Sequence, residues 1–444
     1  MPAFLHAADV HLDSPLTGLE AYDSAPVEDI RAATRRALEN LVALALAESV
    51  DALLLAGDIY DGDWRDYNTG LFFAGQMARL QQAGIPVLMI HGNHDAASQI
   101  SRQLRLPKNV HVFSSRAPES HRIEAAGLVI HGQSYARRQT TEDLTRAYPA
   151  AEPGLFNIGL LHTSLDGRPG HDPYAPCRLD DLYRLGYDYW ALGHVHQREI
   201  VHEESPWVVF PGNLQGRHAR ETGAKGATLV RIQDNRVLAV EHHPLDVVRW
   251  VQCDLELPHT ITSDQIEARI ATELQAAQAA AEGRLLAVRL RLHGTTRADT
   301  ELRATAEALL NQCRVIGFEV AGRDLWIEKL ILATRRPAHP LTATESAAQP
   351  DGSEDSALAP LFESLADPDS LLVPANDPPA LATNLLEDIE ALLHKLPATL
   401  HNDSNGLDLS APSLTCHDGG LHQCLRDAHA LLLERLRAGP SPQH

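Results

Sequence analysis

Seven side chains suited to holding metal ions stand in five short clusters, each just after an apolar run: Asp9 with His11, Asp58, Asn93, His162, and His194 with His196. Their order reads D-x-H, G-D, G-N-H-D, a lone His, then G-H-x-H. A fold that uses them together must bring the ends of five apolar segments to one place. Sheets with strands buried on both faces, and sites in the loops that follow those strands, meet that demand.

The apolar runs support it. Residues Ala3 to Ala8, Ala52 to Ala56, Pro86 to Ile90, Leu128 to His131, Asn157 to Leu161, Tyr189 to Leu192 and Trp207 to Phe210 read as buried strands. Val27 to Glu48 and Thr69 to Ala83 carry helical periodicity, and the second closes at Gly84. Strands alternating with helices predict a layered α/β domain over 1–244. From Leu245 to Pro340 the pattern changes to strand Val247 to Leu257, helix Ser263 to Ala281, strand Leu285 to Leu292, helix Thr300 to Gln312, and strands Val315 to Val320 and Leu325 to Ala333. This predicts a small α+β module of β-α-β-α-β-β order. Residues 341–379 read as an acidic Pro/Ala/Ser-rich linker. In 380–444 two leucine stripes predict helices, either a hairpin packed on itself or a docking element for a partner.

The residue types carry the chemistry. Asp9 and His11 lie two apart, so in an extended chain both side chains share a side. Taken alone, the pair reads rather as an exposed loop, and Asp58 alone is equally a helix cap. In Gly92-Asn93-His94-Asp95, Asn93 offers a neutral carbonyl oxygen, His94 is placed to reach a phosphate oxygen or a leaving group, and Asp95 is expected to hold the His94 ring. His162 ends an apolar strand, and His194 and His196 repeat the two-apart geometry. Two cations sharing a carboxylate need roughly eight protein contacts. These residues supply them: Asp9, His11, Asp58 and His196 for one ion, and Asp58, Asn93, His162 and His194 for the other. His94 and Asp95 remain as the catalytic pair. Nitrogen and oxygen ligands without thiolate favour manganese, iron, zinc or cobalt over calcium or copper(I). The chemistry predicted is metal-assisted hydrolysis of a phosphate ester, with His94 stabilising or protonating the departing oxygen.

Net charge qualifies the choice of substrate. The chain carries −21, but −12 of this falls after residue 340, against −8 in 1–244 and −1 in 245–340. Overall acidity therefore says little about a cleft in the first half. Five cysteines at irregular spacing argue against a disulfide framework. The first residues lack the regions of a signal peptide, and no run approaches the roughly 18 apolar residues of a membrane span. A cytoplasmic chain without membrane contact is expected.

With these motifs in view, the chain resembles the calcineurin-like metallophosphoesterase superfamily. Within it, the chain is similar to SbcD-type DNA repair exonucleases of the YhaO-like branch. Ala8-Asp9-Val10-His11-Leu12-Asp13-Ser14-Pro15, Gly57-Asp58-Ile59-Tyr60-Asp61, Gly92 to Asp95, Gly193 to His196 and Phe210 to Arg217 carry the match. The resemblance implies a four-layer α/β fold, a β-sandwich flanked by helices, followed by the small α+β capping module and a helical C-terminal tail. It implies two divalent ions, manganese by habit of the family, and a nuclease working on DNA with an SbcC-like coiled-coil ATPase. A second copy of the chain is a further partner to consider. Some relatives place a histidine where this chain has Asp61, so details of exonuclease action do not transfer.

Weaker signals complete the reading. Arg102, Arg105, Lys108, Arg137, Arg138 and Arg217 would track a nucleic-acid backbone if they converge on the cleft, and are otherwise ordinary surface. His171, Asp172 and Cys177 would line the site without ligating. Cys416, His417, His422 and Cys424 do not match a zinc-site spacing. Two alternatives stay open: a phosphodiesterase or phosphatase for small nucleotides or phosphoproteins, and a metal-stabilised scaffold for an ATPase.

Overall fold

Residues 3–7, 52–56 and 87–90 are apolar at almost every position, and in the computed structural model each is a strand buried on both faces. The structure describes residues 1–14, 26–61, 67–97, 104–167 and 174–337. These fall in one unit, Met1–Pro337. The expected linker and C-terminal helices lie outside the described residues, as do Arg102, His171, Asp172, Cys416, His417, His422 and Cys424.

In chain order the elements begin β1 (Ala3–Ala7), α1 (Val27–Ala47), β2 (Ala52–Ala56), α2 (Tyr67–Gln82), β3 (Val87–Ile90), α3 (Asn93–Ala97), β4 (Val110–Val112), β5 (Glu119–Ile123) and β6 (Leu128–Gly132). They continue β7 (Phe156–His162), α4 (Leu179–Tyr183), β8 (Tyr189–Gly193), β9 (Glu199–His202), β10 (Trp207–Phe210), β11 (Gly226–Gln233) and β12 (Arg236–Pro244). The second module is β13 (Val248–Glu256), α5 (Ser263–Ala280), β14 (Leu285–Thr295), α6 (Asp299–Ala304), α7 (Ala306–Ala321) and β15 (Leu325–Arg335).

Two mixed sheets of six strands, ordered β12-β11-β1-β2-β3-β4 and β5-β6-β7-β8-β10-β9, pack face to face. Phe4, Leu54, Leu88 and Val230 from one meet Ile130, Ile158, Tyr189 and Val209 from the other in a shared core. Helix α1 covers the outer face of the first sheet through Ala37, Leu38, Leu41, Val42 and Ala45, an i, i+3, i+4 stripe. Leu182 of α4 joins Trp190 and Tyr187 behind the second sheet. The result is an α/β sandwich of two mixed sheets flanked by helices. Strands β1, β2 and β3 run parallel, as do β7 and β8, so the loops after each pair's C-terminal ends emerge on one edge. No helix among the described residues is long and apolar enough to cross a membrane.

Strands β4, β5 and β9 add to those expected, the expected helix over 300–312 is divided between α6 and α7, and two further features differ. Strands β11 and β12 form a hairpin turning at Asp234 and Asn235, both at positive φ (52° and 58°), and β11 pairs with β1. In the second module, residues 315–320 are not a strand but the end of α7. The three strands β13, β14 and β15 are all parallel, and a parallel neighbour cannot be reached by a tight hairpin. The run Val315-Ile316-Gly317-Phe318 therefore continues the crossover helix, burying Ile316 and Gly317 with Cys313 while Val315 and Phe318 face out.

Candidate metal centre

The loop after β1 carries Asp9 and His11, that after β2 carries Asp58, and β3 is followed by Asn93 and His94. Strand β7 ends in His162, and β8 leads into His194 and His196. The structure brings all of these to one place. Acceptor atoms of Asp9, His11 and His196 lie within 4.8 Å of one another, as do those of Asp9, Asp58 and His162, and those of His11, Asp58 and His94. The ring of His194 sits 5.2 Å from that of His162, and its backbone N–H donates to Asp9 Oδ2 (3.1 Å).

The backbone is bent to achieve this. Asp9 (φ 50°), His11 (44°), Asp58 (52°) and His194 (101°) all occupy positive φ without being glycine. Each such residue costs on the order of 1–3 kcal/mol and persists only where its surroundings over-determine it. Here Asp9 N–H donates to Gly57 O (3.0 Å), His11 N–H to Asp58 O (3.0 Å) and Leu12 N–H to Ile59 O (2.8 Å), extending parallel pairing beyond the strands. At Gly57 (φ 91°) an added Cβ would lie 2.6 Å from His162 Nδ1, so only glycine fits.

Hydrogen bonds set the tautomers. His162 Nδ1 lies 2.8 Å from Ala56 O, and because a carbonyl only accepts, Nδ1 carries the proton. Burial holds His162 down at a pKa of about 4, so the ring is neutral and Nε2 is a bare lone pair. That nitrogen faces Asn93 Oδ1 (3.0 Å) and Asp58 Oδ2 (3.5 Å), both acceptors. Likewise His196 Nδ1 meets the Glu221 carboxylate (2.6 Å), and its Nε2 faces His11 Nε2 at 3.2 Å. His162 Nε2, without a proton, thus faces two acceptor oxygens, an arrangement that suits a cation. Burial raises Asp9 and Asp58, with repulsion from Asp58 adding at Asp9 and from Asp61 at Asp58, a cost that a divalent cation would reverse. The donor set of carboxylate, imidazole and amide oxygen fits two hard or borderline ions.

Asp95 does not hold His94. Its carboxylate, buried, accepts from the backbone N–H of Ile59 (3.0 Å), Tyr60 (2.9 Å) and Gly92 (3.1 Å), tying the Asp58 loop to the Asn93 loop. The ring of His94 meets Asp61 instead, Nδ1 to Oδ1 at 2.8 Å. A carboxylate three residues after Asp58 was a signal open to sequence reading. Asp61 also accepts from Ser14 Oγ (2.5 Å) and lies 3.3 Å from Arg217 Nη1. Burial alone would raise Asp61, but its contacts with His11 and His94 hold it well below the usual carboxylate range. Burial would lower His94, and Asp61 with Asp58 outweighs it, raising the ring above its ordinary value.

Of the basic residues named from sequence, Arg217 is in the site. Arg105, Lys108, Arg137 and Arg138 are exposed. The last two follow Tyr135, whose hydroxyl donates to His162 O (2.7 Å), so they are rooted beside the centre. Cys177 is buried, with its thiol 3.7 Å from Thr163 Oγ1 and pushed up to about 12 by burial. Glu221, without any spacing signal to the ligand motifs, is the residue that sequence reasoning missed.

Residues 2–198 match the family model for calcineurin-like phosphoesterases. Residues 250–335 match the model described as metallophosphoesterase YhaO, middle domain. The chain is 39% identical over 257 residues to the "Uncharacterized metallophosphoesterase YhaO" of Bacillus subtilis, covering 57% of this chain and 63% of that protein. It is 30% identical over 227 residues to the DNA double-strand break repair protein Mre11 of Methanopyrus kandleri, covering 47% and 48%. With the Mre11 of Aeropyrum pernix it shares 28% over 246 residues, covering 52% and 57%. In each case the match spans less than two thirds of the relative's length.

Proposed function

The chain belongs to the calcineurin-like metallophosphoesterase superfamily, and from that premise we propose that it is a two-metal phosphodiesterase acting on DNA, a repair exonuclease or endonuclease. The observation that carries the hydrolytic reading is the set of bare acceptors around Asp58, where His162 Nε2 at 3.5 Å is fixed in its unprotonated form by Ala56 O. Asp9, His11, Asp58 and His196 would hold one ion, and Asp58, Asn93, His162 and His194 the other, with manganese the expected metal. Bound there, the two cations would offset charge on the phosphoryl oxygens and activate water for in-line attack.

The chain's own groups do the rest. Asp61 fixes the His94 ring through Nδ1, leaving the other nitrogen to give a proton to the departing oxygen. Arg217, 15% exposed at its side chain, supplies positive charge at the rim for a phosphate. DNA as substrate is supported by the likeness to the DNA double-strand break repair protein Mre11 of Methanopyrus kandleri and of Aeropyrum pernix, and a coiled-coil ATPase of the SbcC kind as partner follows from the resemblance of the motifs to SbcD-type exonucleases.

The test is degradation of end-labelled single- and double-stranded DNA by the full chain with Mn2+, beside bis-p-nitrophenyl phosphate and a cyclic nucleotide. Metal-dependent shortening of DNA is expected. Hydrolysis of the small esters with DNA left intact would overturn the substrate.

A further inference from the structure

The carboxylate of Glu221 is buried and touches no residue of the expected ligand set except His196, yet each of its oxygens is engaged. Oε1 accepts from His196 Nδ1 at 2.6 Å. Oε2 accepts from the backbone N–H of Arg217 (2.7 Å) and the amide of Asn213 (2.9 Å). Arg217 Nη2 stands 3.3 Å from Oε1, while Nη1 stands 3.3 Å from Asp61. One guanidinium thus spans the two carboxylates that hold His196 and His94.

An ionised carboxylate only accepts, so a neutral ring at His196 carries its proton on Nδ1, which leaves Nε2 as an acceptor facing His11 Nε2 at 3.2 Å. A free imidazole has no such constraint and can turn or exchange tautomers. We propose that Glu221 is a positioning residue for the metal centre, fixing the ring and tautomer of His196 so that Nε2 is presented to one cation. This rests on the reading of His196 as a ligand.

The carboxylate is itself held from behind. Its turn begins at Gly216, whose carbonyl accepts from Trp250 Nε1 (3.0 Å), and ends at Gly223, whose N–H donates to Trp250 O (3.1 Å). Gln215 adds bonds to Val247 N–H (2.8 Å) and Val248 O (2.6 Å). Both partners are at the start of β13, so the second module sets where Glu221 stands. An ordinary surface ion pair with Arg217 would not need that support, and the 2.6 Å contact to His196 is shorter than either contact between Arg217 and a carboxylate.

The experiment is a Mn2+ titration of the metal-stripped full chain by calorimetry, run as a cycle of unmodified chain, Glu221→Gln, His196→Ala and the double variant. The amide keeps the volume but cannot accept from all four donors. Glu221→Gln is expected to weaken one of two Mn2+ sites about 10- to 100-fold and leave the other unchanged. In the His196→Ala background the same change should have no further effect on Mn2+ affinity. Unchanged affinity in Glu221→Gln, or equal weakening with and without His196, would overturn the inference. If the unmodified chain binds fewer than two ions, or His196→Ala alters neither site, the ligand reading itself fails, and this is seen without any change at Glu221. Glu221→Asp, which keeps the charge on a shorter arm, takes the same place in the cycle if the amide variant does not fold.

Discussion

At the scale of single residues, the proposed roles of His94 and Asp61 can be tested apart from those of the expected ligands. His94→Gln is expected to cut turnover of bis-p-nitrophenyl phosphate by roughly 10²- to 10⁴-fold, as loss of a general acid does, with Mn2+ stoichiometry by calorimetry unchanged. Full activity in that variant would remove His94 from the mechanism. His6 gives a pH prediction away from the ligands. It is buried between Tyr189 OH (3.1 Å) and Leu192 O (3.0 Å), and burial lowers it to about 3 despite the bond to Leu192. Its folded value lies below the unfolded one of about 6.5, so its stabilising contribution is complete above that pH and is lost as pH falls toward about 3. Between pH 7 and 5 the loss from His6 alone is about 2 kcal/mol. Urea midpoints for the chain and for His6→Gln should converge or cross as pH drops, and parallel curves would count against it. His94 was legible from G-N-H-D, whereas its partner was misread. Asp95 is next to His94 in sequence, but as the third residue of α3 its carboxylate turns back to accept three backbone N–H groups. Adjacency in sequence does not decide which way a side chain points.

At the scale of elements, strands buried on both faces were readable because their residues are almost all apolar, with His6 in β1 and Asn157 and the terminal His162 in β7 the exceptions, and β1, β2, β3, β7, β8 and β10 stand within a residue or two of their expected bounds. The hairpin β11–β12 was missed, although Asp234 and Asn235 suit a turn needing positive φ at both positions. The apolar run at 315–320 fits strand or helix equally, and the parallel sheet decided it. Asp95 is where element-level stability can be tested. Asp95→Ala leaves three buried backbone donors without their acceptor, at about 1–3 kcal/mol each. A drop of about 3 kcal/mol or more in denaturant stability is expected, together with weaker Mn2+ uptake, since the tie holds the Asp58 and Asn93 loops together. A loss under about 1 kcal/mol would mean that water replaces the carboxylate.

For the whole molecule, the second module is fixed to the sandwich rather than hung from it. Trp250, Ala287 and Trp326 pack on Ile30, Ala33 and Ala219. Arg284 donates to Pro244 O (3.2 Å) and Asp246 O (2.8 Å), clamping the joint. Trp250→Ala is expected to cost roughly 3–5 kcal/mol and, by freeing the Gly216–Gly223 turn, to weaken Mn2+ binding, read by thermal unfolding and calorimetry on one sample. Wild-type metal affinity in a destabilised variant would show that the turn holds its place unaided. The amino-acid sequence by itself determined the types of the candidate ligands, their order, and that they follow buried strands, because periodicity and side-chain chemistry are local properties. Tertiary structure decided which carboxylate serves which imidazole. Asp61 reaches His94 across 33 positions and Glu221 reaches His196 across 25, through turns whose positions are set by Asp95 and by Trp250 of a separate module. Such pairings depend on how strands and loops are stacked in space, and no spacing along the chain encodes them.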